Sequence, residues 1–342
     1  MINIGVIGYG YWGTNLVRNI EESAVAQLHS VVDPNPCRLE LAQRRCRGVK
    51  TKTCLHEILG DPALDAVAIA TPVSTHFDLA LAALRAGKHV WLEKPMTETS
   101  EQARQLIEQA ESRKLTLFVD HTFIYTGAIR KMREIVASGN LGKIYYYDSV
   151  RVNLGLFQRD VNVISDLAVH DFSLLDYLLA EHPVAVSASG MTHFPAMPEN
   201  IAYVTLFYDS GAIAHANVNW LAPVKVRQIL LGGSEKMIVY DDMATSEKVK
   251  IYDSGVKFTN DPQEIYQLLV GYRTGDMWAP KLDTTEALRI AGDHFVKCIE
   301  TEAAPITDGR LGLRVVEVIE AATTSMRGRG ETVEIKCQGK NS

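Results

Sequence analysis

Cysteine is scarce in this chain of 342 residues and shows no organisation: Cys37, Cys46, Cys54, Cys298 and Cys337 are odd in number and include no C-x-x-C pair. Neither a disulfide framework nor a zinc site is indicated, and a reducing compartment, the cytoplasm, is expected. Long apolar runs are missing too. None approaches the roughly 20 residues of a membrane-spanning helix, and strand-like sequence starts at Ile2, leaving no room for a signal peptide. Basic charge is not in excess: 35 Lys and Arg stand against 41 Asp and Glu, a net charge of −6. Nucleic acid and anionic membrane are therefore not expected as main partners. The compact basic cluster Arg44, Arg45 and Arg47 reads as a solvated helix face. Repeats and low-complexity tracts are absent as well. What remains, 46% hydrophobic and 22% charged residues, is an ordinary globular composition long enough for two domains.

The most informative stretch lies near the first residue. Ile2 to Ile7 is a short apolar run of the buried-strand type, and helical spacing of Leu16, Val17 and Ile20 follows it. Between them stands G-x-G-x-x-G: Gly8 for a tight turn, Gly10 for close approach of backbone to a pyrophosphate, and Gly13 for close packing of helix on strand. Tyr9, Tyr11 and Trp12 share this turn, Trp12 as a packing residue or a lid. A second strand, Ala26 to Val32, ends at Asp33, 20 residues beyond Gly13, where a dinucleotide fold places the acid that meets a ribose 2′-hydroxyl. A carboxylate there repels a 2′-phosphate, so NAD is preferred over NADP; Arg38 nearby weakens that preference, and Asp before Pro-Asn-Pro is also a plain turn former.

Strands and helices go on alternating. Asp65 to Ala70 leads into Thr71-Pro72, with His76 placed to cap or line a cofactor cleft; His89 to Leu92 leads into Glu93-Lys94-Pro95; Leu115 to Val119 is one more strand. This grammar predicts a doubly wound parallel sheet over residues 1–122, with Gly8, Asp33, Thr71 and Lys94 all at carboxyl ends of strands, where such sheets bind ligands. Beyond it, residues 123–342 predict an α+β domain with a large, mostly antiparallel open sheet. Its helices run from Gly127 to Ser138 and Asp166 to Ala180, and its hairpin turns fall at Asp209-Ser210-Gly211 and Gly232-Gly233. The last helices, Thr284 to Thr301 and Gly309 to Met326, are available to pack back on the first domain.

Oxidation of a secondary alcohol needs a base for the hydroxyl proton and a cation near the developing alkoxide. His170 and Lys94 supply these types, and Asp166 lies four residues before His170, about one helical turn away. Alone, Asp-x-x-x-His is more often a surface pair and Lys before Pro a turn residue. His121, Asn153, Asn162 and Arg273 are further candidate substrate contacts, His121 equally a buried structural histidine. His76, His121 and His170 have no metal-ligand spacing, so no metal is expected.

The order of Gly8-Tyr9-Gly10 to Gly13, Thr71-Pro72 with His76, Glu93-Lys94-Pro95 and Asp166-Leu167-Ala168-Val169-His170-Asp171 resembles the Gfo/Idh/MocA oxidoreductase family over essentially the whole chain. The resemblance implies a Rossmann domain, His170 as general acid/base, Lys94 assisting substrate and proton transfer, Asp166 binding substrate, and a dimer or tetramer built on the open sheet. Asn162-Val163-Ile164-Ser165 replaces the glycine-rich lead of inositol dehydrogenases, which puts an inositol substrate in doubt. Gly8-Tyr9-Gly10-Tyr11-Trp12-Gly13, with Asn162-Val163 and Tyr272-Arg273-Thr274-Gly275-Asp276, is similar to members tied to surface-polysaccharide and nucleotide-sugar pathways. The expected activity is hydride transfer between nicotinamide and a ring hydroxyl or ketone of a sugar or nucleotide sugar. An NAD-dependent glycosidase using transient oxidation and a non-catalytic dinucleotide-binding regulator are the alternatives.

Overall fold

A computed structural model describes residues 1–155, 160–256, 272–273 and 275–335. The chain forms two compact units: Met1–Thr126 with Thr285–Glu320, and Gly127–Thr284 with Ala321–Ser342.

In the first unit β1 (Ile2–Ile7), β2 (Ala26–Val32), β3 (Lys50–Lys52), β4 (Ala66–Ile69), β5 (His89–Glu93) and β6 (Leu117–Asp120) make a parallel sheet ordered β3-β2-β1-β4-β5-β6. Helices α1 (Tyr11–Glu21), α2 (Pro36–Arg45), α3 (His56–Leu59), α4 (His76–Arg85) and α5 (Ser100–Ser112) lie in its connections. The chain winds outward from β1 in one direction and then from β4 in the other, so the loops after β1 and β4 flank the switch point where such sheets bind ligands. All four residues of β4 are fully buried, because both sheet faces are covered. One face carries the aliphatic cluster of Ile69, Leu92, Ala80, Leu106 and Val316. On the other, the rings of Trp91, Phe118 and Phe295 pack at 5.4–5.6 Å, Phe295 coming from α8 (Ala287–Thr301). Helix α5 begins as its sequence dictates: Thr99 and Gln102 cap each other reciprocally.

The second unit holds α6 (Gly127–Ala137), β7 (Ile144–Leu154), α7 (Val169–Leu179), β8 (Ala185–Met191), β9 (Ile201–Phe207), β10 (Ile213–Asn219), β11 (Leu221–Gly233), β12 (Met237–Asp241), β13 (Val249–Tyr252), β14 (Gly255–Val256), β15 (Tyr272–Arg273), β16 (Met277–Trp278) and β17 (Val333–Glu334). Helix α9 (Gly309–Arg327) begins among the residues of the first unit and ends among those of the second. Among the described residues the large sheet is ordered β16-β13-β12-β11-β7-β10-β9-β8-β17, with β14 and β15 paired separately. It is antiparallel apart from the β7–β10 pair. Strict alternation marks one covered face: Ala202, Val204 and Leu206 of β9 and Ala214, Ala216 and Val218 of β10 are buried, and the residues between them are not.

Two local expectations separate here. Asp209-Ser210-Gly211 does turn a hairpin, with Gly211 at φ +83° and its N–H donating to Tyr208 O at 3.0 Å. Gly232-Gly233 does not make the next turn. These glycines end β11, and Ser234-Glu235 form the corner, closed by Gly233 N donating to Lys236 O at 2.9 Å. The absent side chains serve packing: a Cβ at Gly232 would lie 2.2 Å from the Tyr146 ring, and one at Gly233 2.1 Å from Leu141 O.

Candidate active site

The glycine turn is built on close backbone approach. Gly8, at φ +90°, donates to Val32 O at 2.7 Å, and a Cβ there would meet Ala70 O at 2.5 Å. A Cβ on Gly13 would stand 1.8 Å from Gly8 O, so α1 can lie against β1 only without one. Gly10 differs: only Arg38 Nη1, at 3.7 Å, comes near its Cβ position. Its α side is open, and it leaves the N-terminus of α1 without a side-chain cap. That cradle fits the pyrophosphate of a dinucleotide, whose oxygens would accept from the uncapped N–H groups of the helix N-terminus. Tyr9 is buried and contributes backbone to the turn. Tyr11 and Trp12 are exposed beside it, edge to face at 5.6 Å.

Asp33 is only 2% exposed. Its Oδ2 accepts the Tyr9 N–H at 2.7 Å, its Oδ1 accepts the Asn35 N–H at 2.8 Å, and Arg38 Nη1 lies 3.5 Å from Oδ2. The carboxylate thus forms the turn before Pro-Asn-Pro that the sequence offered as one reading and also ties it to the glycine turn through Tyr9, a contact that the sequence did not disclose.

At the ends of β4 and β5 a second tie appears. His76 opens α4 and is buried, with Nδ1 2.9 Å from Pro95 O and Nε2 3.0 Å from Thr71 O. It joins the Thr71-Pro72 loop to the Glu93-Lys94-Pro95 loop, in which the Lys94–Pro95 peptide is cis. Burial lowers its pKa, and the neutral ring that this favours donates to one of the two carbonyls and packs against the other. Thr71 Oγ1 also accepts from Thr75 Oγ1 at 2.7 Å. Glu93 is buried beside its register partner Asp120 on β6, and Oε2 accepts the Lys94 N–H at 3.3 Å. Burial first, and then the Asp120 charge, push the Glu93 carboxyl well above its usual range; burial raises Asp120 as well. Asp120 was missed in the sequence, where a strand-ending acid has no mark of its neighbour. His121 is 1% exposed, as its structural reading expected.

In the second unit the segment around His170 is more intricate in backbone than a single helix. Ile164–Ala168 form a π-helical turn carrying Asp166, and α7 begins only at Val169, so His170 is its second residue. Asn162 Oδ1 caps the turn, accepting Ser165 N at 3.0 Å and Ser165 Oγ at 3.2 Å. Asp166 Oδ2 accepts from Trp220 Nε1 at 3.0 Å. Asp166 and His170 are both partly exposed. Asn153 sits near the end of β7, half-buried. The backbone of Arg273 belongs to β15; its side chain and all of Thr274 lie outside the described residues.

Residues 2–121 match the model for the oxidoreductase family with an NAD-binding Rossmann fold, and residues 129–239 match the GFO/IDH/MocA C-terminal domain. The chain belongs to the Gfo/Idh/MocA family of oxidoreductases. Myo-inositol 2-dehydrogenase of Thermotoga maritima is 26% identical over 95% of this chain and 96% of its own. UDP-N-acetylglucosamine 3-dehydrogenase of Acidithiobacillus ferrooxidans is 30% identical over 91% of this chain and 93% of its own. A solved structure of that Acidithiobacillus ferrooxidans enzyme superposes with a TM-score of 0.81, covering 96% of this chain and 98% of its own at 26% identity. These relatives are dehydrogenases, so neither the glycosidase nor the regulator alternative gains support.

Proposed function

We propose that this protein transfers a hydride between NAD and a ring hydroxyl or ketone of a sugar, most favourably a nucleotide sugar. Bound nicotinamide supplies the hydride acceptor or donor. Residues 1–122 hold the cofactor: the turn from Gly8 to Gly13, including Tyr9, Tyr11 and Trp12, meets the pyrophosphate, Asp33 the adenosine ribose, and Thr71, Pro72, His76, Glu93 and Lys94 shape the nicotinamide end. Residues 123–342 bind substrate and assemble the oligomer. In oxidation His170 takes the hydroxyl proton, the Lys94 ammonium stabilises the developing alkoxide, and Asp166 accepts a hydrogen bond from a substrate hydroxyl. His121, Asn153, Asn162 and Arg273 are the further substrate contacts; of these His121, being buried, and Asn162, engaged in its cap, are the weakest.

The observation that carries this reading is the Asp166–His170 segment, two partly exposed polar side chains on a turn fixed by Asn162 and Trp220, in a chain of an oxidoreductase family. The sequence before Asp166 supports a nucleotide sugar over an inositol, and a UDP-N-acetylglucosamine dehydrogenase stands among the relatives. NAD over NADP rests on the buried Asp33 carboxylate. Self-association through the outer sheet face is supported by a row of exposed side chains in register across three strands, Tyr146, Ile213 and Phe207, which suits a homodimer or homotetramer. A cytoplasmic location is supported by the free thiols of Cys37, Cys46, Cys54 and Cys298. The test is a screen of nucleotide sugars, sugars and inositols with NAD and NADP, followed by absorbance of the reduced nicotinamide; no turnover with any sugar or nucleotide sugar removes the assignment.

A further inference from the structure

His170 is followed by Asp171, a carboxylate that faces the other way. Asp171 is fully buried, Tyr147 Oη donates to its Oδ1 at 2.9 Å, and Arg151 Nε donates to its Oδ2 at 3.0 Å. Tyr147 and Arg151 stand four residues apart on the covered face of β7, and both are buried. Burial, with the Asp171 charge beside it, pushes the Tyr147 phenol far up, so it remains a donor. One carboxylate in the first turn of α7 is thus gripped at both oxygens by one strand.

We propose that Asp171, Arg151 and Tyr147 are positioning residues for His170. The backbone changes from π-helical to α-helical between Ala168 and Val169, so the angular step per residue changes at this junction. His170 is the second residue after it, and successive helical residues project about 100° apart. Fixing Asp171 against β7 therefore sets the direction in which the imidazole leaves the helix. The Asp171 charge is neutralised by Arg151, so the pair orients His170 without adding net charge next to it. This inference rests on the reading of His170 as the acid/base.

The test uses the full-length protein, histidine-labelled for NMR, as Asp171→Asn and as the milder Tyr147→Phe, which removes one hydrogen bond and keeps the ion pair. The His170 ring signal is identified by its loss in His170→Ala. The expected result is displacement or broadening of that signal in both variants, with the remaining histidine signals in place. With NAD and UDP-N-acetylglucosamine as probe, kcat falls about tenfold or more in Asp171→Asn while both KM values stay within about twofold. In the His170→Ala background neither substitution lowers the residual rate further. An unmoved His170 signal in both variants overturns the inference, as does an undiminished kcat in Asp171→Asn or an equal loss in the His170→Ala background. Retained activity in His170→Ala alone, or absence of turnover in the unmodified protein, counts instead against the functional reading, and the NMR result still decides the positioning.

Discussion

The indole Nε1 of Trp220 donates to Asp166 Oδ2 at 3.0 Å, joining the residue after β10 to the π-helical turn. Trp220 is 1% exposed, so this donor holds the carboxylate from the buried side. Trp220→Phe keeps an aromatic ring at the site, removes the donor and leaves a small cavity whose cost a melting temperature reads separately. A hydrogen bond to a charged group contributes about 1.5–3 kcal/mol, so kcat/KM for the sugar falls roughly 10–100-fold, and NAD affinity does not change. Steady-state kinetics beside an NADH fluorescence titration check both halves.

Gly10 and Gly13 separate ligand approach from packing. Gly13→Ala forces a Cβ against Gly8 O and lowers stability by about 1–3 kcal/mol or more, with dinucleotide binding lost alongside. Gly10→Ala meets only Arg38 Nη1 at 3.7 Å; its melting temperature stays near that of the unmodified protein, and NADH affinity falls about tenfold or more. Thermal unfolding and NADH titration of the two variants give the comparison. Equal NADH affinity in Gly10→Ala would place the pyrophosphate elsewhere.

Arg38 stands half-exposed, 3.5 Å from the buried Asp33 carboxylate. A guanidinium there is available to a 2′-phosphate. Arg38→Ala is expected to lower kcat/KM with NADP by about tenfold while changing that with NAD by no more than about twofold. Turnover with both cofactors in parallel measures it.

Much of this was legible along the chain. The central parallel strands announced themselves as short apolar runs because a sheet covered on both faces has no polar side to show, as in Ala66–Ile69, whereas the edge strand Lys50–Lys52, charged and largely exposed, went unread. The turn Asp209-Ser210-Gly211 was legible because its glycine has positive φ. Gly232 and Gly233 misled because they are there to admit Tyr146 and Leu141, contacts distant in sequence. The same distance hid the tie of Asp33 to Tyr9, His76 bridging Thr71 and Pro95, Glu93 beside Asp120, and Trp220 on Asp166. The candidate residues were put forward by type, spacing and the family resemblance together; the groups that hold them come from strand register and loop packing, which no local pattern encodes.

The buried Glu93–Asp120 pair makes stability depend on pH. Burial and then the Asp120 charge hold Glu93 well above its ordinary 4.5, and burial raises Asp120 to about 6, so the folded chain holds protons that the unfolded chain has released. Stability contributed by this pair is full below the unfolded values and is lost as pH rises from about 4.5 through the raised folded values. Glu93→Gln removes the pair's repulsion. Its melting temperature should exceed that of the unmodified protein at alkaline pH, with the difference shrinking toward pH 4.5, in thermal unfolding scans across pH.

The central claim is hydride transfer with His170 as the group that moves the proton. Its most direct measurement follows reduced-nicotinamide absorbance with NAD and a panel of nucleotide sugars, for the unmodified protein and His170→Ala in parallel, alongside NADH binding by fluorescence. The account predicts turnover by the unmodified protein, loss of about 100-fold or more in kcat for His170→Ala, and unchanged NADH affinity. Comparable turnover by His170→Ala would contradict it.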